Sequence, residues 1–565
     1  MAAVDWIVVG GYVVFAMAVG FWFSRRAGKS ITEYFLSGRN LPWWVVGSSM
    51  VATTFAADTP LAVTEYVRQD GIWRNWIWWA LAISHVLAAV VFSRLWRRAM
   101  VLTDNELIEI RYHGKPAAAL RAFKACYFST LYNFIVMGWV TAAMSTVLSS
   151  FLDIPIVWAV VACMAIALFY SVLSGFWGVV VTDLVQFGVA IVGSVLFAVL
   201  AAQHAGGMEG VLSSPEVASG QALSLFPNAG AGFDVWMNFL AFVLVMWWAY
   251  QGSDGGGYII QRMMSAKNER HALIGTFWFA VAHYMLRVWP WVVVALVSMV
   301  MLPELTAHKE AYPEILSRIL PAGLKGLCVA MFLAAYMSTI DTHLNWGSSY
   351  IVNDLYKRFF KPDAGQKHYV AVSKITSVVL MLVSGYVALQ ITSITAAWEL
   401  LWAMGAGIGA VLILRWFWWR INAWSEISAL SASLVIAAAL QVYGYVAEVD
   451  IQFYVKLLTV AFGSAAVWLT VTLLTRPEPE EVLKKFNQRV RPGGWWPFET
   501  QKGIVGYKTL LAWLGGVMVV YGGMFLIGGL VLGGWNVVLI SILAAVAGAA
   551  LVFYGLRGEF DAPRA

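Results

Sequence analysis

Of the 565 residues, 61% are hydrophobic and only 12% are charged, with a mean hydropathy of +0.73. A water-soluble globular protein of this length does not carry so little charge, so the chain is a polytopic membrane protein. The net charge of +6 lies in loop lysines and arginines, where it reports orientation across a bilayer and makes no case for nucleic-acid binding. The three cysteines, Cys126, Cys163 and Cys328, sit alone in apolar stretches, with no metal-ligand or disulfide spacing. No Walker loop, dinucleotide fingerprint or nucleophile elbow is present, which argues against an ATP-driven pump and against an enzyme.

In chain order, a first apolar span covers about 4–23, followed by the basic loop Ser24-Arg25-Arg26-Ala27-Gly28-Lys29. Positive charge after the span, with Asp5 before it, predicts a true helix with its N-terminus outside rather than a leader. Spans follow at about 41–67 and 72–96, then an amphipathic stretch over 103–124 suited to an interface. Spans at about 122–150, 155–175 and 178–204 precede a glycine-rich external loop. A second group runs at about 233–261, 272–302, 324–354, 371–394 and 396–417, with basic residues at the predicted cytoplasmic ends. Two more spans, 424–446 and 453–474, a charged linker and two last spans near 508–531 and 535–555 complete about fifteen crossings. The alternation puts the N-terminus outside and the C-terminus in the cytoplasm of an inner (plasma) membrane.

Two spans contain polar interruptions. The first, 47–64, carries six hydroxyl residues, Asp58 and Pro60, and the proline predicts a broken helix at 58–61. The second reads Tyr250-Gln251-Gly252-Ser253-Asp254-Gly255-Gly256-Gly257-Tyr258. Polar groups at bilayer depth belong around a cavity or ion, and paired broken helices are the best sequence pointer to a transporter site. Because each interrupted helix opens a set of five spans, and five is odd, the second set is inverted relative to the first. The predicted fold is therefore an all-α, five-plus-five inverted-repeat transporter core. Its segments are an extra helix and loop (1–40), two repeats (41–204 and 233–419), two added helices (424–475), an amphipathic cytoplasmic linker (476–507) and a C-terminal helix pair (508–565).

Leu41-Pro42-Trp43-Trp44, Thr182-Asp183-Leu184-Val185-Gln186, Tyr258-Ile259-Ile260-Gln261-Arg262 and the run 334–345 leading to Asp354-Leu355-Tyr356-Lys357 resemble the sodium/solute symporter family, over about 1–475. That family includes carriers of proline, pantothenate, sialic acid and sugars. The resemblance implies sodium-coupled symport of a small polar organic solute by alternating access. It also implies a sodium site from the carbonyls of Ala52, Phe55 and Ala335 with the hydroxyls of Ser338 and Thr339. Sodium is a hard cation that wants several oxygens, and a broken helix supplies free carbonyls. From spacing alone the two hydroxyls serve equally well by bonding back to carbonyls one turn earlier. A candidate second sodium site would use Asp183, Asp341 and Thr342; alternatively one aspartate stays protonated, or Asp183 caps its helix.

The candidate solute ligands are Thr54, Asp58, Thr59, Gln251, Asp254, Gly256, Tyr258 and Glu399. The resemblance makes Tyr258 a stacking inner gate. Gly256-Gly257 stands where sugar carriers of the family have an Asn, a departure that argues against a hexose. The membrane-depth ionisables Asp58, Glu65, Asp254 and Glu399 outnumber Arg287, His85 and His283, which favours an ammonium-bearing solute. Trp76, Trp78, Trp79 and Trp416-Phe417-Trp418-Trp419 are expected in interfacial belts, and Trp247 or Trp248 is a candidate stacking partner. The glycine pairs of the last two spans suit close helix packing and a contact between copies of the chain. A proton-coupled carrier of the same fold and a non-transporting membrane sensor are the alternative readings.

Overall fold

The computed structural model describes residues 1–27, 30–152, 154–218, 222–501 and 503–557, with side chains throughout except at 23–27 and 172–175. Gly28 and Lys29 of the first basic loop, 219–221 of the long loop, 502 of the linker and the tail 558–565 lie outside the described residues. The described chain is helical, with no strand among those residues. Among the described residues, twelve helices are long and apolar enough to cross a membrane. The shorter apolar helices Ile156–Ser171 and Phe233–Ala249 and the interrupted segment 43–70 bring the crossings to fifteen. The two interrupted helices each open a set of five, so the core is the five-plus-five inverted repeat.

The first interruption falls slightly earlier than proline chemistry alone suggests. Helix Trp43–Thr54 stops at Phe55, whose φ of −86° and ψ of 65° leave the helical region. Helix Thr59–Asp70 then starts with Pro60 in its first turn, where a missing N–H breaks nothing. Proline thus opens the second half-helix rather than ending the first. The second interruption rests on glycine. Gly255, Gly256 and Gly257 have φ of +124°, +69° and +32°, a conformation costly for any residue with a Cβ. A Cβ on Gly256 would also lie 2.9 Å from the Cα of Gly252.

Helical backbone runs from Ile156 to His204 without an assigned stop. Yet Tyr170 and Thr182 share a hydrogen bond of 2.5 Å between side chains 12 residues apart. Along a straight helix that separation is roughly 18 Å, so the chain doubles back between the two expected spans. The amphipathic stretch forms Glu106–Arg111 and Gly114–Tyr127, the latter continuing through a π-helical turn at Phe128–Tyr132 into Asn133–Leu152.

The most buried helix is Leu324–Ser349, which packs against the first half-helix, the doubled-back pair and the N-terminal helix Ala3–Ala27. Its start is capped from outside the repeat. Asp5 Oδ1 accepts from the amides of Gly323 (2.6 Å) and Gly326 (2.8 Å). A carboxylate there pairs unfilled amides and meets the positive end of the helix dipole.

The C-terminal pair Tyr507–Leu532 and Trp535–Leu556 packs as a tight hairpin. A Cβ on Gly515 would sit 2.6 Å from the Gly548 carbonyl, and one on Gly516 would sit 2.6 Å from Val86 of the core. Gly515, Gly516, Gly522, Gly523, Gly528 and Gly529 therefore serve contacts within the chain, whereas Gly533 has open space around it. The tryptophan belt expectation is also corrected: Trp76, Trp78, Trp79 and Trp416 are buried and Trp418 and Trp419 half-buried, whereas Trp6, Trp22, Trp43, Trp44, Trp158, Trp424, Trp495 and Trp535 are exposed.

Asp5→Ala should lower stability by about 1–2 kcal/mol, the scale of a lost cap with buried amides. Thermal unfolding in detergent without sodium reads this, and Asp5→Asn should recover part of it.

Candidate functional site

Two oxygen-rich elements meet where the first helix breaks. On Leu324–Ser349, Ser338 Oγ lies 2.8 Å from the Ala52 carbonyl and 3.1 Å from that of Ala335. Thr339 Oγ1 lies 2.8 Å from the Thr53 carbonyl and 3.1 Å from Ala335. The hydroxyls thus bond back one turn and also reach across to the break. Each has one proton to donate, so two protons serve four contacts and the carbonyls are left partly unmet. Such a neutral, electron-rich shell fits a hard monovalent cation. Phe55, at the break itself, adds a residue released from helical geometry.

One helical turn along, the charge pattern differs. Arg262, fully buried, donates from Nε to Ser49 Oγ (2.8 Å) and from Nη2 to Thr53 Oγ1 (2.9 Å) and Thr342 Oγ1 (2.7 Å). The same Nη2 pairs with Asp183 Oδ2 at 3.2 Å, and that oxygen also accepts from Ser49. Asp341 accepts from Ser171. Asp183 and Thr342 therefore both hold the guanidinium of Arg262, and Asp183 does not cap a helix end. In the sequence Arg262 counts as a basic residue of a cytoplasmic span end, whereas in the structure it is fully buried.

A cavity of about 160 Å³ opens beside the break. Thr54, Asp58, Thr59 and Tyr258 line it, as do Trp398 and Thr339. Asp58 Oδ2 accepts from Trp398 Nε1 at 2.9 Å, while its Oδ1 has no partner. Opposite charge comes from Arg287, which with His283 was counted in the sequence only as an intramembrane ionisable; both, with Tyr284, lie on or just after a π-helical turn at Ala282–Leu286. Arg287 Nη2 lies 2.9 Å from His283 Nε2, and Nη1 donates to the Thr54 carbonyl. A guanidinium only donates, so His283 Nε2 accepts and its proton sits on Nδ1, which points at Thr54 Oγ1 (2.9 Å). Thr54 passes its own proton to the Met50 or Val51 carbonyl, both at 3.0 Å. His85, bonded to Tyr284 at 2.8 Å, and His343, bonded to Asn133 at 2.6 Å, complete the polar lining. Trp78, Trp139 and Trp402 supply apolar walls.

The other expected ligands lie elsewhere. Asp254 pairs with Arg415 at 2.7 Å and accepts from Trp416 Nε1 at 3.2 Å. Glu399 pairs with Arg74 at 2.7 Å and faces a different cavity. Gln251 and Gly256 line a small chamber beyond Tyr258. Trp247 and Trp248 pack on Trp513 and Phe462, away from the cavity. The acid excess read from composition therefore does not reach the cavity, where Asp58 faces Arg287 and three histidines.

Comparison with known proteins agrees with this architecture. The chain is 26% identical over 471 residues to a sodium/glucose cotransporter of Vibrio parahaemolyticus, covering 78% of this chain and 86% of the relative. It is 24% identical over 563 residues to sodium/glucose cotransporter 4 of Danio rerio, covering 88% and 81%. A sodium/mannose cotransporter of Bos taurus matches at 24% over 498 residues, covering 78% and 79%. The solved structure of a Na+-coupled sialic acid symporter, in a substrate-bound outward-open state, shares the fold with a TM-score of 0.72. It is 21% identical and covers 85% of this chain and 99% of that one. The profile of the sodium:solute symporter family matches residues 34–436. On that match the chain belongs to the sodium:solute symporter family, and it is a sodium-coupled symporter of a small polar solute rather than an enzyme.

Proposed function

We propose that the solute is a neutral polyhydroxylated ring, a sugar or cyclic polyol, held in the 160 Å³ cavity. The lining of that cavity does not include Gly256 or Gly257, so the departure there does not bear on a sugar in this cavity. The observation that carries this is the pairing of aromatic walls with a buried Asp58 whose Oδ1 has no hydrogen-bond partner, in a lining shared with Arg287. A sugar ring presents an apolar C–H face that packs on indole and phenol rings, and a hydroxyl edge that both donates and accepts. Asp58 Oδ1 takes a donated hydroxyl proton, and Arg287 or Thr54 orients the far side. The charge balance of the cavity removes the argument for a cationic solute, and relatives named for glucose and mannose support the reading. Thr54, Asp58, Thr59 and Tyr258 are its predicted ligands, with His283 and Arg287 added.

The coupling ion is proposed to sit among the carbonyls of Ala52, Thr53, Phe55 and Ala335 and the hydroxyls of Ser338 and Thr339. At the second position the Arg262 guanidinium is a tethered cation between Asp183 and Thr342, so one sodium accompanies each solute. We place the protein in the plasma membrane with its N-terminus outside, which puts the basic residues Arg94, Arg97, Arg98 and Lys267 on the cytoplasmic side. Any self-association would use the outward aliphatic face of Trp535–Leu556, where Leu539, Ile540, Leu543 and Val546 are exposed.

In proteoliposomes, sodium-dependent uptake should be competed by glucose, mannose or myo-inositol and not by amino acids or quaternary amines. Asp58→Asn should raise KM by one to two orders of magnitude, the effect of about 1.5–3 kcal/mol for a charge-assisted hydrogen bond. Competition by amines alone would overturn the polyol assignment.

Uptake against sodium concentration should be hyperbolic, as one coupling ion requires; a sigmoid would contradict it. Asp183→Asn and Arg262→Met should each destabilise by about 3–5 kcal/mol, because each leaves a buried charge unpaired. The double variant should cost less than the two losses summed, as measured by thermal unfolding.

A further inference from the structure

A second chamber lies directly beyond the central cavity. Its volume is about 40 Å³, enough for one or two waters and too small for the solute. Both cavities are bounded by Tyr132, Tyr250 and Tyr258, so these rings are the partition between them. The far wall is ionic: Asp254 pairs with Arg415 (2.7 Å), Arg415 with Glu426 (3.3 Å), and Glu426 with Lys124 (3.3 Å). That chain ties the second helix break to three other helices, and its Asp254, Arg415 and Lys124 line the chamber.

Gln251 stands out within it. The residue is only 6% exposed, and neither its amide oxygen nor its amide nitrogen has a partner. Its side chain lies against Gly405, where a Cβ would come within 2.8 Å of the Gln251 amide carbon. A buried primary amide with no hydrogen bond is strongly disfavoured unless something polar meets it during the working cycle. The glycines of the second break form the adjoining wall and put no side chain in the way.

We propose that this chamber is a second solute station on the cytoplasmic route. It is hydrated while the tyrosine partition is shut, and Gln251 is the first hydrogen-bond partner of the solute hydroxyls once the partition opens. The proposal rests on the polyol reading and on the orientation given above. Release then proceeds in two steps, from the central cavity to Gln251, and from Gln251 past the Asp254–Arg415–Glu426–Lys124 chain.

The test uses the full-length protein with Cys126, the exposed cysteine, changed to Ala. Gln251→Leu, close in volume and without polar atoms, should leave equilibrium D-glucose binding in sodium within twofold while slowing D-glucose efflux from proteoliposomes at least fivefold. Gln251→Cys should be labelled from the cytoplasmic face by a membrane-impermeant methanethiosulfonate, faster without sodium than with it. Unchanged efflux in the leucine variant overturns the proposal, as does a loss of binding equal to the loss of efflux, which would make Gln251 part of the central cavity. Failure to label from the cytoplasmic face overturns it as well. If the unsubstituted protein binds no sugar in sodium, the polyol reading fails, and the labelling still decides whether the chamber lies on the aqueous route.

Discussion

A helix that breaks inside a bilayer leaves carbonyls and amides that no lipid can pair, and this protein is arranged around two such breaks. At the first, the hydroxyls of Ser338 and Thr339 and the guanidinium of Arg287 reach the carbonyls of Ala52, Thr53 and Thr54. At the second, Trp96 Nε1 donates to the Asp254 carbonyl at 2.9 Å and Ser253 Oγ donates to the Gly409 carbonyl at 2.9 Å. The groups that make the first break tolerable are those whose oxygens suit a sodium ion. If the coupling ion sits there as proposed, the same oxygens hold both the backbone and the ion.

Buried charge is handled by local pairing. Asp254, Glu426, Arg415 and Lys124 form one chain, Arg121 meets Asp354 and Glu109 at 2.6 Å each, and Arg262 meets Asp183. Ion pairs of this kind add little net stability but strongly penalise arrangements that separate the partners. They therefore fix which helices move together. The cavity differs: Asp58 Oδ1 is buried without a hydrogen-bond partner, and the polar groups around it are oriented by one another rather than neutralised in place. An unmet acceptor in an aromatic-walled space is where a hydroxylated solute gains most.

Much of this was legible in the sequence because its signals are local. The interruptions at 47–64 and 250–258 and the hydroxyl pair Ser338 and Thr339 announce themselves in short stretches of sequence. What was not legible depends on which face a residue presents and on what lies across from it. Asp254 and Glu399 looked like ligands until Arg415 and Arg74, 161 and 325 residues away in the chain, proved to be their partners. His283 and Arg287 were visible as intramembrane ionisables, yet the π-helical turn that turns them toward Thr54 has no reliable sequence mark. The glycine pairs near the C-terminus announced close packing correctly, but composition cannot say whether the near surface belongs to the same chain.

The most direct test of the account is the thermal stability of the purified protein against sodium, at constant ionic strength with choline as replacement. Wild type should show a saturable, sodium-specific rise that is absent in the Ser338→Ala/Thr339→Ala variant, because an ion that binds only the folded state stabilises it by mass action. A rise of the same size in the variant, or none in the wild type, would contradict the placement of the coupling ion at the first helix break.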